Sequence, residues 1–260
     1  MIQAGFMLST GRAGTGTFAH LMQQSLKFRA FHVPMPELIK EAFEVQQNLV
    51  EPKVHAEHKI TSIKELMRDQ SQKIYIETNN KLYPFALELN AAFDAKFFWV
   101  IRDPFEYVNS GISRKWYTGA GGVWDTYRER PQEGWWAGAT QVQKIAWQWC
   151  AINSNIEKSF SRLKCARVYH FSDLLGDQKE VLDLAHWLGG TDLTHEIAAR
   201  IFGLKINVGR YSAPRDPATG DHIFGEINTN ETESHVFARD EVKKVIQMNW
   251  MSPNSERYLG

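Results

Sequence analysis

The sequence is short of the features that would assign it at a glance, and each shortage excludes something. Only two cysteines, Cys150 and Cys165, occur among 260 residues, so a disulfide-rich secreted scaffold is excluded, and their separation matches no common metal-ligand spacing. Both read as reduced thiols. Neither charge is in excess, with thirty Lys and Arg against thirty Asp and Glu, so no global field steers the chain to nucleic acid or to an anionic membrane. Any anion site is therefore local. No run approaches the roughly 18 apolar residues of a membrane span, and the N-terminus MIQAGFMLST has neither the basic nor the long apolar region of a secretory signal. A cytoplasmic location is the expectation. Internal repeats and low-complexity tracts are missing as well.

What is present is a 43% hydrophobic fraction, enough for the buried core of one sizeable domain. Four short apolar runs, rich in aromatic or β-branched residues, predict strands: Ala4 to Ser9, Lys73 to Glu77, Lys96 to Arg102 and Ala166 to Phe171. Helical periodicity falls between them, at Phe18, Leu21, Met22 and Leu26, then Leu82, Phe85, Ala86 and Leu89, then Val142, Ile145, Ala146 and Trp149. Strands alternating with helices predict an α/β fold of three layers, a central parallel sheet flanked by helices. Ligands in such folds sit beyond the C-terminal ends of the strands. A single domain is expected, with a lid loop at 115–138, rich in glycine and tryptophan, an irregular C-terminal cap at 207–233 and a last helix from about Arg239 to Trp250.

After the first run comes Ser9-Thr10-Gly11-Arg12-Ala13-Gly14-Thr15-Gly16-Thr17, then an amphipathic helix. Glycines admit close backbone approach to an anion, a helix N-terminus offers N–H groups and positive dipole, and Arg12 adds a full charge. A tight strand-to-helix turn with a solvent-facing arginine is the plainer reading. The Walker pattern fits Gly11 and Gly16 but finds Thr17 where its lysine belongs. The dinucleotide fingerprint would need the glycine spacings reversed. The loop thus argues against a kinase and against an ordinary NAD site.

The third run ends in Arg102-Asp103-Pro104 and continues FEYVNSGISR. Asp103, Pro104 and Glu106 suit a helix start as N-cap, first-turn proline and capping-box acid. Arg102 would emerge beside that start, where a guanidinium can grip a phosphate or pair with a neighbouring carboxylate. Ser110 and Arg114 share a helix face and could hold a second phosphate.

These two segments resemble the sulfotransferases that use 3′-phosphoadenosine 5′-phosphosulfate, whose first loop reads (K/R)-S-G-T-T and whose second motif reads R-x-P-x-x-x-V-x-S. Arg102, Pro104, Val108 and Ser110 fall on every fixed position of the second. In the first, Ala13 replaces a serine and Gly16 a threonine, and each change removes a hydroxyl donor. The stretch ARVYHFSDLLGDQKEVLDLAHWLGG is similar to the family's third conserved region, with Phe171 where a tyrosine often contacts adenine; a core phenylalanine is the alternative. The resemblance runs from about Gly5 to Gly190, weakly between Phe31 and Gln72. It implies that Arg12, Ala13, Gly14, Thr15, Gly16 and Thr17 bind the 5′-phosphosulfate, that Arg102 and Ser110 bind the 3′-phosphate, and that no metal is needed.

The acceptor's proton needs a base. Glu77 opens ETNNKLYPF and loosely resembles the E-K-S-x-x-Y-like segment of sugar sulfotransferases; otherwise it is a surface or helix-capping acid. His55 and His58 read as a solvated pair near a helix start. Trp116, Trp124, Trp135 and Trp136 suit either a sugar-stacking lid or the packing of a long loop. Arg210, with Arg215, is the nearest substitute for the family's C-terminal R-K-G element. Two other functions stay open: a nucleotide or metabolite kinase with a degenerate phosphate loop, and a non-catalytic glycan-binding module.

Overall fold

The structure, a computed structural model, describes residues 1–70, 73–119, 123–131, 134–203 and 232–259. Its strands are β1 (Gln3–Leu8), β2 (Phe28–His32), β3 (Ile74–Thr78), β4 (Asp94–Ile101) and β5 (Ala166–His170). Its helices are α1 (Thr15–Met22), α2 (Ile39–Gln46), α3 (Pro52–Leu66), α4 (Ala86–Ala92), α5 (Pro104–Ser113), α6 (Val123–Thr126), α7 (Gln141–Phe160), α8 (Phe171–Gly176), α9 (Gln178–Leu188), α10 (His195–Gly203), α11 (Thr232–Asn249) and α12 (Pro253–Glu256). The chain divides into two compact units: Met1–Asp103 with Ala151–Leu204, and Pro104–Cys150 with the described part of 205–260.

The first unit is the α/β layer structure that the alternating pattern predicts. Its five strands lie in the order β2-β3-β1-β4-β5, and every pairing is parallel. The four predicted runs are β1, β3, β4 and β5; β2, with sequence FRAFH, is an addition at one edge. Parallel strands must be covered on both faces, and adjacent residues of β4 show both coverings. Lys96 donates to the Trp187 carbonyl of α9 on one face, and Trp99 Nε1 donates to Asn153 of α7 on the other.

Register fixes which side chains share a face, because successive residues of a strand point to opposite sides. Phe31, Glu77, Phe6 and Phe97 form one row across β2, β3, β1 and β4. Tyr75 and Phe93 complete an aromatic cluster on that face, with ring centroids 5.5–6.0 Å from their neighbours. Burying each such ring contributes on the order of 1.5–3 kcal/mol. His32 and Thr78 are register partners on the opposite face. There Gly5 leaves room for Ile76 and Leu188, either of which a Cβ would meet at under 3 Å.

The second unit is helical. Its core pairs Trp149 with Trp250 and Tyr258, at 5.0 and 5.6 Å between centroids. The segment 115–138 carries α6 and a 3-10 turn at Gly134–Gly138 where a plain loop is predicted. Trp116 is 7% exposed and packs edge-on against Tyr107, with the Arg128 guanidinium 3.7 Å from its ring centre. Trp136 lies among Tyr117, Trp135 and Trp147. These tryptophans pack their own segment, and only Trp135 of the three is exposed. Cys150 is buried, which pushes its thiol well above the ordinary range and leaves it inert. No helix among the described residues is long and apolar enough to cross a membrane.

Candidate functional site

The segment after β1 combines features that an anion-binding loop needs. Gly11, Arg12 and Gly14 have φ of 84°, 56° and 72°, the left-handed region, which glycine enters freely and arginine does not. Turns of this kind direct successive N–H groups into one concavity. Helix α1 then begins at Thr15, and its first intrahelical bond runs from Phe18 N–H to the Gly14 carbonyl, 2.9 Å. The N–H groups of Thr15, Gly16 and Thr17 precede that bond and point out of the helix end. Ser9 braces the turn by accepting from Gly11 N–H at 3.2 Å. Ala13 is fully buried, so it offers an anion its backbone alone.

Three distant stretches converge on this loop. Arg102, one residue past β4, donates through an Nη to the Arg12 carbonyl. Its guanidinium also lies 5.7 Å from the centre of the Phe171 ring, within cation–π range. Phe171 opens α8 and packs on Gly14 so closely that a Cβ there would stand 2.6 Å from its Cε2. Sequence reasoning missed Asn80, which covers Gly11 with a similar fit of 3.1 Å; its only signal was its place two residues beyond a strand. It also missed Thr78, whose Oγ1 donates to the Thr15 carbonyl at 2.7 Å and holds the first turn of α1.

Glu77 is placed otherwise than expected. It stands on the face opposite Thr78, in the row of phenylalanines, and is fully buried. Oε1 accepts from Lys59 Nζ at 2.8 Å and Asn79 Nδ2 at 3.0 Å, and Oε2 from the Tyr75 hydroxyl at 2.5 Å. Burial first, then the charge of Glu77 and the hydrogen bond to it, push the Tyr75 phenol far above its ordinary range, so the hydroxyl stays a donor. Lys59 in turn donates to the carbonyls of Pro34 and Pro36, 3.1 Å each, and Asn79 Nδ2 to that of Glu37. Glu77 is thus neither a surface acid nor a helix cap. With both oxygens engaged on the face away from α1, its role is to hold the 33–38 connection in place, and the expectation that it acts as a base is corrected accordingly.

In the second unit, α5 begins at Pro104 with Glu106 in its first turn, as the capping signals predict. Arg114 donates to Ser110 Oγ at 2.8 Å and to the Ser110 carbonyl at 3.1 Å, so the two share a helix face. On α3, His55 pairs with Glu44 at 3.0 Å, while His58 is exposed. Among the described residues no group of three His, Cys, Asp or Glu side chains could hold a metal. Arg210 and Arg215, and most of the cap expected at 207–233, lie outside the described residues, as does the side chain of Trp124.

No protein-family model and no curated protein matches this chain. Among solved structures, it is similar to the sulfotransferase domain from the curacin biosynthetic pathway, at 13% identity over 97% of this chain and 99% of that one, with a TM-score of 0.47. It is also similar to a sulfotransferase from Alicyclobacillus acidocaldarius, at 12% identity over 99% of each chain, again with a TM-score of 0.47. At that level the likeness carries no functional argument, and the residues around the loop have to supply it.

Proposed function

We propose that this chain is a sulfotransferase, moving a sulfonate from 3′-phosphoadenosine 5′-phosphosulfate to a hydroxyl or amine acceptor. The observation that carries the reading is the meeting of Arg102 and Phe171 on the loop 11–17. A guanidinium, an aromatic face and a run of helix-start N–H groups match the three parts of such a donor: 3′-phosphate, adenine and 5′-phosphosulfate. Arg12 and the amides of residues 14–17 would hold the phosphosulfate and steady negative charge on the departing phosphate, the electrostatic part of the catalysis. Arg102 would take the 3′-phosphate, and Ser110 is added to it on the strength of the motif alone. Arg210 is retained as a candidate cap on the same ground. The donor supplies an activated sulfonate; what the chain supplies is position and charge.

The kinase alternative lacks its lysine at Thr17, and the glycan-module alternative loses ground because Trp116 and Trp136 pack their own segment. Isothermal titration separates the three. Binding of adenosine 3′,5′-bisphosphate with no binding of ATP is the expected result; ATP binding alone would favour the kinase, and glycan binding alone the module.

A further inference from the structure

With Glu77 closed off on the far face, the acceptor's proton needs another destination. His32 is the last residue of β2, exposed, and on the same sheet face as Thr78 and α1. Its Nδ1 lies 2.9 Å from the Thr78 carbonyl oxygen and 3.4 Å from Thr78 Oγ1. A carbonyl oxygen can only accept, so Nδ1 carries the ring hydrogen. Thr78 Oγ1 has committed its own hydrogen to the Thr15 carbonyl, so it too can only accept from the ring. Both contacts select one tautomer, and that tautomer leaves the Nε2 lone pair available on the exposed side of the ring. The link is short as well as specific: His32 is joined through one threonine to the first turn of α1, where the sulfonate end of the donor would be held.

We infer that His32 is the general base of the transfer, an inference that rests on the sulfotransferase reading above. Nε2 takes the proton of the acceptor R–OH as its oxygen forms a bond to sulfur. The bond from sulfur to the 5′-phosphate oxygen breaks, its electron pair leaving with adenosine 3′,5′-bisphosphate. The products are R–OSO₃⁻ and the bisphosphate, and the proton passes from Nε2 to solvent. The other histidines set against this task are poorly placed: His55 is tied to Glu44, and His58 lies on α3, the helix whose Lys59 belongs to the Glu77 face. The signal in the sequence was faint, because His32 lies in the stretch of weakest family resemblance and ends a strand that periodicity did not mark.

The test is the variant His32→Asn, in which an amide N–H can replace Nδ1–H on the Thr78 carbonyl but nothing replaces Nε2. Transfer from the radiolabelled donor is measured to phenol, to p-nitrophenol and to water as sulfate release, with His58→Ala as the control. A proton acceptor matters for phenol and water, and little for p-nitrophenol, which is largely ionised near neutral pH. The expected result is a loss of about 100-fold or more with phenol and water, a change of only a few-fold with p-nitrophenol, and unaltered bisphosphate affinity. Should p-nitrophenol and phenol both be refused by the wild-type chain, the water rate alone decides. Wild-type rates in His32→Asn would overturn the inference while leaving the donor reading intact, as would a loss matched by lost bisphosphate affinity. A wild-type chain that binds no bisphosphate would overturn both.

Discussion

Two strand-to-helix connections leave the same edge of the sheet and are built in opposite ways. The connection after β1 keeps its backbone available: Gly11 and Gly14 take positive φ, the helix opens with small residues, and the first N–H groups of α1 face outward. The connection after β2 is filled by the protein itself. Its positive-φ positions are Val33 and Leu38, at 47° and 64°, where a side chain pays for the conformation, and its carbonyls at Pro34, Pro36 and Glu37 are taken by Lys59 and Asn79. One loop is prepared for a ligand, and the other is a fixed wall beside it. A buried ion pair suits the second task, since it commits both charges to one geometry.

The largest expected effect lies in that wall. Removing one partner of a buried pair leaves the other charge uncompensated, at a cost of about 3–5 kcal/mol. Glu77→Ala should therefore lower stability by that order in chemical denaturation. Replacing both partners, Lys59→Met with Glu77→Leu, should recover much of the loss. If Glu77→Ala kept full stability and lost only turnover, the contrast between the two connections would collapse and Glu77 would return as a base.

On the ligand side, Phe171→Ala should weaken bisphosphate binding by about tenfold, because stacking of a base on an aromatic ring is worth about 1–3 kcal/mol. Unchanged affinity would make Phe171 a packing residue for Gly14 alone. A smaller effect concerns the far end of α1. There Asp192 accepts from Ser25 Oγ at 2.5 Å and Leu26 N–H at 2.8 Å. Desolvation opposes ionisation of Asp192, but these hydrogen bonds outweigh it and hold the carboxyl below the ordinary aspartate range. With the folded-state value depressed, the contribution to stability is present above the unfolded-state value and is lost as pH falls through the folded one. A slight extra acid sensitivity of the wild type over Asp192→Asn is the expected outcome in pH-dependent melting.

The sheet was legible where burial is complete and hidden where it is partial. β1 and β4 are almost wholly buried and read as apolar runs, whereas β2 alternates buried and partly exposed residues at an edge and is only five residues long. That omission mattered, because His32 and the register that sorts Thr78 from Glu77 depend on β2. Arg102 and Phe171 were legible by motif, but the face on which Glu77 stands was not. A carboxylate at a strand end reads the same whether it faces a ligand or a buried lysine, and Lys59, eighteen residues earlier on an amphipathic helix, gave no sign of being 1% exposed.

The central claim, that the loop after β1 and Arg102 together hold a nucleotide carrying both a 5′- and a 3′-phosphate, is tested most directly by a preference. Calorimetric affinities of adenosine 3′,5′-bisphosphate and adenosine 5′-monophosphate are compared for the wild type and for Arg102→Ala. A hydrogen-bonded charge pair at the 3′-phosphate is worth about 1.5–3 kcal/mol, so the wild type should favour the bisphosphate by tenfold or more, and Arg102→Ala should erase most of that margin. Equal affinities in the wild type, or a preference that survives in Arg102→Ala, would contradict the account.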